Sequence, residues 1–148
     1  MKALAIHHDL GDKESERSVL TTLGFTHALW GEAQAAIKYC EQSLEFDREL
    51  GDKRGEANNL SKLGIACSLF GDEQRASNCV EQAFAIAEEL GDEELRGMIL
   101  EDRGDTCLKL GEVDKAKQAF AEALKIYAEI GSARADGVRQ KLAKLPGE

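Results

Sequence analysis

The chain has 148 residues, and its 43% hydrophobic and 32% charged side chains can supply both a core and a charged surface. Aromatic residues make up only 5%, and the single proline adds to a composition that disfavours β-sandwiches and β-barrels. The net charge of −9 argues against a nucleic-acid partner and against binding to anionic membranes, because both attract basic surfaces. The sequence contains no apolar run of about 18 residues, so no membrane-spanning helix is predicted.

The first segment, residues 1–11, resembles the end of a later helix, since Leu4 aligns with Leu44 and Gly11 with Gly51. We interpret it as the end of a preceding half repeat, so that the chain begins inside a repeat. The segment is too polar to be a signal peptide.

Glycine then recurs every 20 residues from Gly11 to Gly131 and predicts the ends of successive helices, because it readily adopts the left-handed conformation that ends a helix. An Asp, Glu or Ser follows each of these glycines and can cap or charge-complement the next helix. Between them, apolar residues recur at intervals of three and four, as in an α-helix. The pattern predicts antiparallel pairs, which are 12–30 with 32–50, 52–70 with 72–90, and 92–110 with 112–130.

The whole pattern repeats every 40 residues, and two sets of small residues keep this register. They are Gly24, Gly64 and Gly104 in the first helices, and Ala36, Ala76 and Ala116 in the second helices. A glycine inside a helix costs about 1 kcal/mol relative to alanine, so its recurrence requires a structural reason. We expect the second helix of each pair to approach closely at the glycine, with the alanine opposite.

The last segment, residues 131–148, predicts a capping helix of the kind that repeat arrays need at their ends. Ala135, Val138, Leu142 and Leu145 form its apolar stripe among basic residues, and Pro146 ends it.

These repeats resemble the tetratricopeptide repeat, in the extended form with Leu-Gly-Asp or Leu-Gly-Glu at the turns. The positions that carry the resemblance in the second unit are Leu60, Leu63, Gly64, Cys67, Ala76, Val80 and Ala83. The resemblance implies an all-α, right-handed superhelix of helix pairs, a solenoid whose first helices line the concave side. It implies one domain over residues 1–148, with repeats at 12–50, 51–90 and 91–130. It also implies a non-enzymatic scaffold that binds proteins. The cysteines favour a cytoplasmic location. Because the chain begins inside a repeat and ends in a capping helix, we expect it to be the C-terminal part of a larger protein.

The candidate partner-binding residues lie between the core positions of the first helices. They are Phe25, Asn58, Ser61, Ile65, Glu101 and Asp105. Ser61 is expected to be exposed on the polar side of its helix. Phe25 and Ile65 would form an apolar patch that grades into acid at Glu101 and Asp105. Such a surface suits a helix or extended peptide with apolar anchors and a basic flank. The alternative is that Phe25 and Ile65 only pack against neighbouring first helices.

Many adaptors of the Leu-Gly-Asn type place an asparagine directly after the helix glycine, where its amide can bind a peptide backbone. Phe25, Ile65 and Asp105 hold that place here, so this contact is not expected. The basic cluster that binds a terminal carboxylate in related domains is also missing.

Neither a catalytic, a metal nor a cofactor site is predicted. The four cysteines, Cys40, Cys67, Cys79 and Cys107, have no C-x-x-C spacing, and we interpret them as small, buried, reduced residues. His27 shares a repeat position with Cys67, which suggests a packed histidine. No phosphate-binding loop or Ser-His-Asp signature occurs, and the carboxylates lie on polar helix faces with nothing to raise their pKa.

Two alternative functions remain open. The uncovered first repeat could bind a second copy of the chain and form a homodimer, or the repeats could be a regulatory arm of a signalling ATPase or transcription regulator. The molar mass of the protein would separate a homodimer from a partner-binding monomer. The length of the full gene would reveal a linked domain.

Overall fold

The computed structural model describes residues 15, 19–20, 22–23 and 32–146, and every regular element in these ranges is helical. The helices with defined bounds are α1 (Ala33–Leu50), α2 (Lys53–Phe70), α3 (Glu73–Leu90), α4 (Glu93–Lys109), α5 (Val113–Glu129) and α6 (Arg134–Ala143). The predicted all-α class is confirmed, and the predicted bounds of α1 to α5 agree to within one residue at each end. The predictions for residues 1–11 and for Gly24, Phe25 and His27 lie outside the described residues.

The helix ends are formed as the sequence predicts. Five glycines, at positions 51, 71, 91, 111 and 131, have positive φ between 63° and 103°. The amide after each glycine donates a hydrogen bond to the carbonyl five residues earlier, as from Asp52 to Asp47 at 2.9 Å. This pattern satisfies carbonyl groups that the helix end would otherwise leave without a donor.

The residue after the glycine caps the next helix in several cases. The Asp52 carboxylate accepts a hydrogen bond from the Gly55 amide at 2.8 Å, and Asp92 accepts one from Leu95 at 2.9 Å. Glu32 and Glu112 stand at the same place but make no side-chain cap bond. The longer glutamate side chain is a poorer N-cap than aspartate, so these two helices begin without that contact.

The chain divides into two compact units, and the division falls inside α3. One unit contains the described residues up to Ala83, and the other begins at Phe84. Helices α1, α3 and α5 begin at residues 33, 73 and 113, so the 40-residue spacing of the sequence is also the spacing of the helices.

In the first unit, α1 packs against α2, and α3 approaches α2 at Gly64. A Cβ atom placed on Gly64 would lie 3.2 Å from Val80 Cγ2 and 3.3 Å from the Ala76 carbonyl oxygen. The expectation of a close contact at this glycine, with Ala76 opposite, is confirmed.

In the second unit, the corresponding Gly104 lies under an aromatic ring. A Cβ atom there would be 2.5 Å from Cε1 of Phe120, which is fully buried. The sequence pattern predicts Ala116 as the residue opposite Gly104, but the atoms nearest to the added Cβ belong to Phe120. Phe120 occupies the repeat position of Val80, so the same position of the second helix covers the glycine in both pairs. Gly97 is covered in the same way by the buried Tyr127, a contact that the repeat pattern does not reveal.

The core of the second unit extends into α6. Ala135 and Val138 are buried, and Leu142 and Leu145 pack against the same core. This is the apolar stripe that the sequence predicts for the last helix. None of the described helices is long and apolar enough to cross a membrane.

Candidate binding surfaces

Two predicted partner-binding residues, Asn58 and Ile65, lie on a partly exposed face of α2. Both side chains are partly exposed, and so are Lys62 and Leu69, which continue the same row at intervals of three and four residues. We call Asn58, Lys62, Ile65 and Leu69 the α2 face. Lys62 is an addition to the sequence prediction.

The prediction that Ser61 is exposed is wrong, because only 2% of this residue is accessible. Ser61 lies four residues after Ala57 and three before Gly64. All three belong to one buried row of the helix, since residues at these intervals share a face. Ser61 therefore cannot belong to an accessible binding surface on α2.

The two predicted acidic residues, Glu101 and Asp105, lie one turn apart on α4 and share a basic partner within the second unit. Lys141 of α6 places its Nζ 2.6 Å from Glu101 Oε2 and 3.0 Å from Asp105 Oδ2. The Tyr127 hydroxyl also donates a hydrogen bond to Glu101 Oε1 at 3.1 Å. Glu101, Asp105 and Lys141 form what we call the acid–lysine cluster.

Exposure differs across this cluster. The Glu101 side chain is 18% accessible and the Asp105 side chain 47% accessible, so Asp105 faces solvent more fully. Lys141 also lies 5.6 Å from the ring centroid of Phe120, where the π face favours a cation. The lysine therefore links α6 both to the carboxylates of α4 and to the ring that covers Gly104.

The electrostatics of the cluster correct the expectation that nothing raises the pKa of a carboxylate. Burial raises the pKa of Asp105 above its ordinary value, and the hydrogen bond from Lys141 only partly offsets the rise. Burial lowers the pKa of Lys141, but the hydrogen bonds to Glu101 and Asp105 outweigh it, so that the net shift is upward. Because the pKa of Asp105 is higher in the folded chain than in the unfolded chain, the fold loses a little stability as pH rises from the ordinary pKa of aspartate through the raised one. Lys141 stays charged over this range.

A buried polar pair in the first unit is another feature that the sequence analysis missed. Asp47 of α1 accepts a hydrogen bond from the Asn59 side chain of α2, and both residues are almost fully buried. The positions that correspond to them 40 residues later are Ala87 and Ile99, which are also buried. Two polar residues at repeat positions that are apolar 40 residues later were the sequence signal that could have predicted this buried pair.

The first unit also contains an open cleft of about 430 Å³ between α1, α2 and α3. Its walls include Leu44, Leu60, Arg75, Asn78 and Cys79. Arg75 forms an ion pair with Glu41 of α1 at the same cleft. In the described part of the chain, no group of three His, Cys, Asp or Glu residues could hold a metal ion.

Comparisons with known proteins identify the repeat. A family model described as the tetratricopeptide repeat matches residues 15–89, and a second model with the same description matches residues 99–130. No curated protein matches the chain.

Proposed function

The chain belongs to the tetratricopeptide repeat family, whose repeats generally mediate protein–protein interaction. We propose that it binds a protein partner through the exposed faces of the first helix of each pair, which are α2 and α4 among the described helices. The partner is a helix or an extended peptide with apolar anchors and a basic flank. Each unit contributes its own contact: in the first unit Ile65 receives an apolar anchor and Asn58 binds the peptide backbone, and in the second unit Asp105 receives a basic side chain.

The observation that carries the proposal is the partial exposure of Ile65. A core-facing apolar residue of α2, such as Leu60 or Leu63, is only 2–3% accessible, whereas Ile65 keeps part of its surface in contact with solvent. Covering that surface with an apolar side chain contributes about 25 cal/mol per Å² removed from water. Asn58, two turns earlier, offers an amide that can donate to and accept from a peptide backbone.

The acid–lysine cluster supports a basic flank in the partner and indicates which of its two carboxylates would receive it. Glu101 already accepts hydrogen bonds from Tyr127 and Lys141, so Asp105, with its more exposed carboxylate, is the better acceptor for a partner. A basic side chain there would share the carboxylate with Lys141. At such half-exposed positions, charge contributes orientation and association rate more than affinity.

The first test selects peptides from a displayed random library and measures their affinity by fluorescence polarisation. Selected peptides should carry one or two large apolar residues beside Lys or Arg. Ile65→Ser should weaken binding at least about tenfold, because it removes the apolar surface that the anchor covers.

Leu50→Ser is the matched control for this variant. It makes the same kind of change in the same unit, at a residue that is 46% accessible and lies at the α1–α2 turn. Leu50→Ser should leave affinity unchanged. Equal affinities of the wild-type chain and Ile65→Ser, with both melting normally, would refute the proposed role of the α2 face.

A second prediction concerns Lys141. Lys141→Met keeps an apolar stem near Phe120 but frees Glu101 and Asp105 from their cation. A selected peptide with a basic flank should then associate several times faster at low salt, and the difference should fade as salt screens the charges. Stopped-flow measurements at two salt concentrations give this rate.

The control is Lys144→Met, which removes the same charge from an exposed residue just after α6. It raises the overall negative charge equally but does not uncover the acidic pair. Equal acceleration by the two variants would mean that net charge, and not Asp105, steers the peptide.

A further inference from the structure

Two buried cysteines lie on adjacent helices of the first unit, at a level where those helices approach closely. Cys67 of α2 and Cys79 of α3 are near enough for their side chains to interact, and both are free thiols. The closeness follows from the absence of a side chain at Gly64, one turn before Cys67. A Cβ atom at Gly64 would lie only 3.6 Å from the Cys79 Cβ, so the two helices are close at this level.

Cys79 also has a route to solvent. It lines the open cleft of about 430 Å³, together with Arg75 and Asn78 of the same helix. Although Cys79 is only 5% accessible, its place in the cleft wall allows a molecule the size of hydrogen peroxide to approach the helix pair. Cys67 has no accessible surface, and it can react only through its neighbour.

The surroundings favour a thiolate at Cys79. The pKa of Cys79 is lowered to about 7, chiefly by the interaction with the Cys67 side chain; Arg75 also lowers it, and burial opposes both. Glu41 of α1 and Asp72 of the α2–α3 turn face the same thiol and raise its pKa. The pKa of Cys67 is raised by the same interaction. Cys40 of α1 is a poorer nucleophile, because burial raises its pKa to about 12.

We propose that Cys67 and Cys79 are an oxidation site, at which a hydroperoxide converts the two thiols into a disulfide that links α2 to α3. The Cys79 thiolate attacks one peroxide oxygen, an S–O bond forms, the O–O bond breaks, and hydroxide leaves. The Cys67 sulfur then attacks the sulfenic sulfur, an S–S bond forms, and the S–O bond breaks. The departing oxygen leaves as water with the Cys67 proton. Two thiols and one hydrogen peroxide thus give one disulfide and two waters.

The experiment treats the full 148-residue chain with a few equivalents of hydrogen peroxide, blocks the remaining thiols and maps the tryptic peptides. Cleavage after Lys62, Arg75 and Arg96 separates the cysteines, which lie in peptides 63–75 and 76–96. The thiol count should fall from four to two, and these two peptides should be joined. The linked chain should resist urea better than the reduced chain, because the bridge constrains the unfolded state.

Variants assign the two roles. Cys79→Ser should slow the loss of thiols about tenfold, whereas Cys67→Ser should leave a sulfenic acid at Cys79 that dimedone traps. Cys107→Ser is the control, since this buried residue lies in the second unit, and disulfide formation should proceed unchanged. An unchanged thiol count in the wild-type chain would overturn the proposal. A Cys40–Cys79 bridge would overturn it as well, and so would oxidation of Cys40 and Cys107 to the same extent as Cys67 and Cys79.

Discussion

Gly104→Ala should destabilise the protein by about 1–2 kcal/mol, although alanine is the better helix former. Propensity alone favours alanine by about 1 kcal/mol inside a helix. The new Cβ, however, would lie 2.5 Å from Cε1 and 2.7 Å from Cδ1 of Phe120, far inside the contact distance of carbon atoms. The ring is fully buried and has little room to move, and overpacking of this kind costs about 1–3 kcal/mol.

Gly137→Ala is the matched control, because Gly137 lies inside α6 with nothing within 4 Å of its added Cβ. It should stabilise the protein by up to about 1 kcal/mol. Urea denaturation of both variants should move the midpoints in opposite directions. A smaller effect of Gly104→Ala in a Phe120→Leu background would identify the ring as the obstacle. If Gly104→Ala is as stable as Gly137→Ala, the close contact at Gly104 does not constrain the fold.

Asp47→Ala or Asn59→Ile alone should each cost about 3 kcal/mol or more. Each single change removes one partner of this buried hydrogen bond, and a buried carboxylate that loses a donor is especially costly. The double variant Asp47→Ala with Asn59→Ile instead reproduces the residues that the next repeat uses at these positions, Ala87 and Ile99.

The double variant should therefore lose much less stability than the sum of the single variants. Replacing both members of a buried polar pair by apolar residues is often nearly neutral. The free energies of unfolding of the four proteins give a double-mutant cycle with a coupling of about 2 kcal/mol or more. A coupling near zero would mean that Asp47 and Asn59 contribute independently.

The fold could be predicted closely because its signals are local. Glycines such as Gly51 and Gly71 adopt the left-handed conformation at the helix ends, and capping aspartates such as Asp52 follow them. These contacts depend on a few consecutive residues and recur every 20 positions. The packing stripe of α6 was predictable for the same reason, since Val138 and Leu142 belong to one helical face.

The candidate site was less predictable because it depends on side chains from different helices. Ser61 is polar, but its row on α2 is buried, and polarity alone did not reveal its position. Lys141 lies 40 residues after Glu101, so the ion pair joins two copies of one repeat position. That spacing is a signal, but its meaning requires the knowledge that α6 continues the second unit. Asp47 and Asn59 stand at positions that are apolar in the next repeat, but only the structure shows that they are hydrogen-bonded to each other.

Nuclear magnetic resonance titration of the labelled chain with a selected peptide tests most directly whether a partner binds the exposed faces of α2 and α4. Amide shifts should change most at Asn58 and Ile65 of α2 and at Asp105 of α4. Exposed positions on the second helices, such as Gln82 and Glu122, should change little. Shifts confined to α1, α3 and α5, with the amides of Ile65 and Asp105 unmoved at saturation, would contradict the proposed surface.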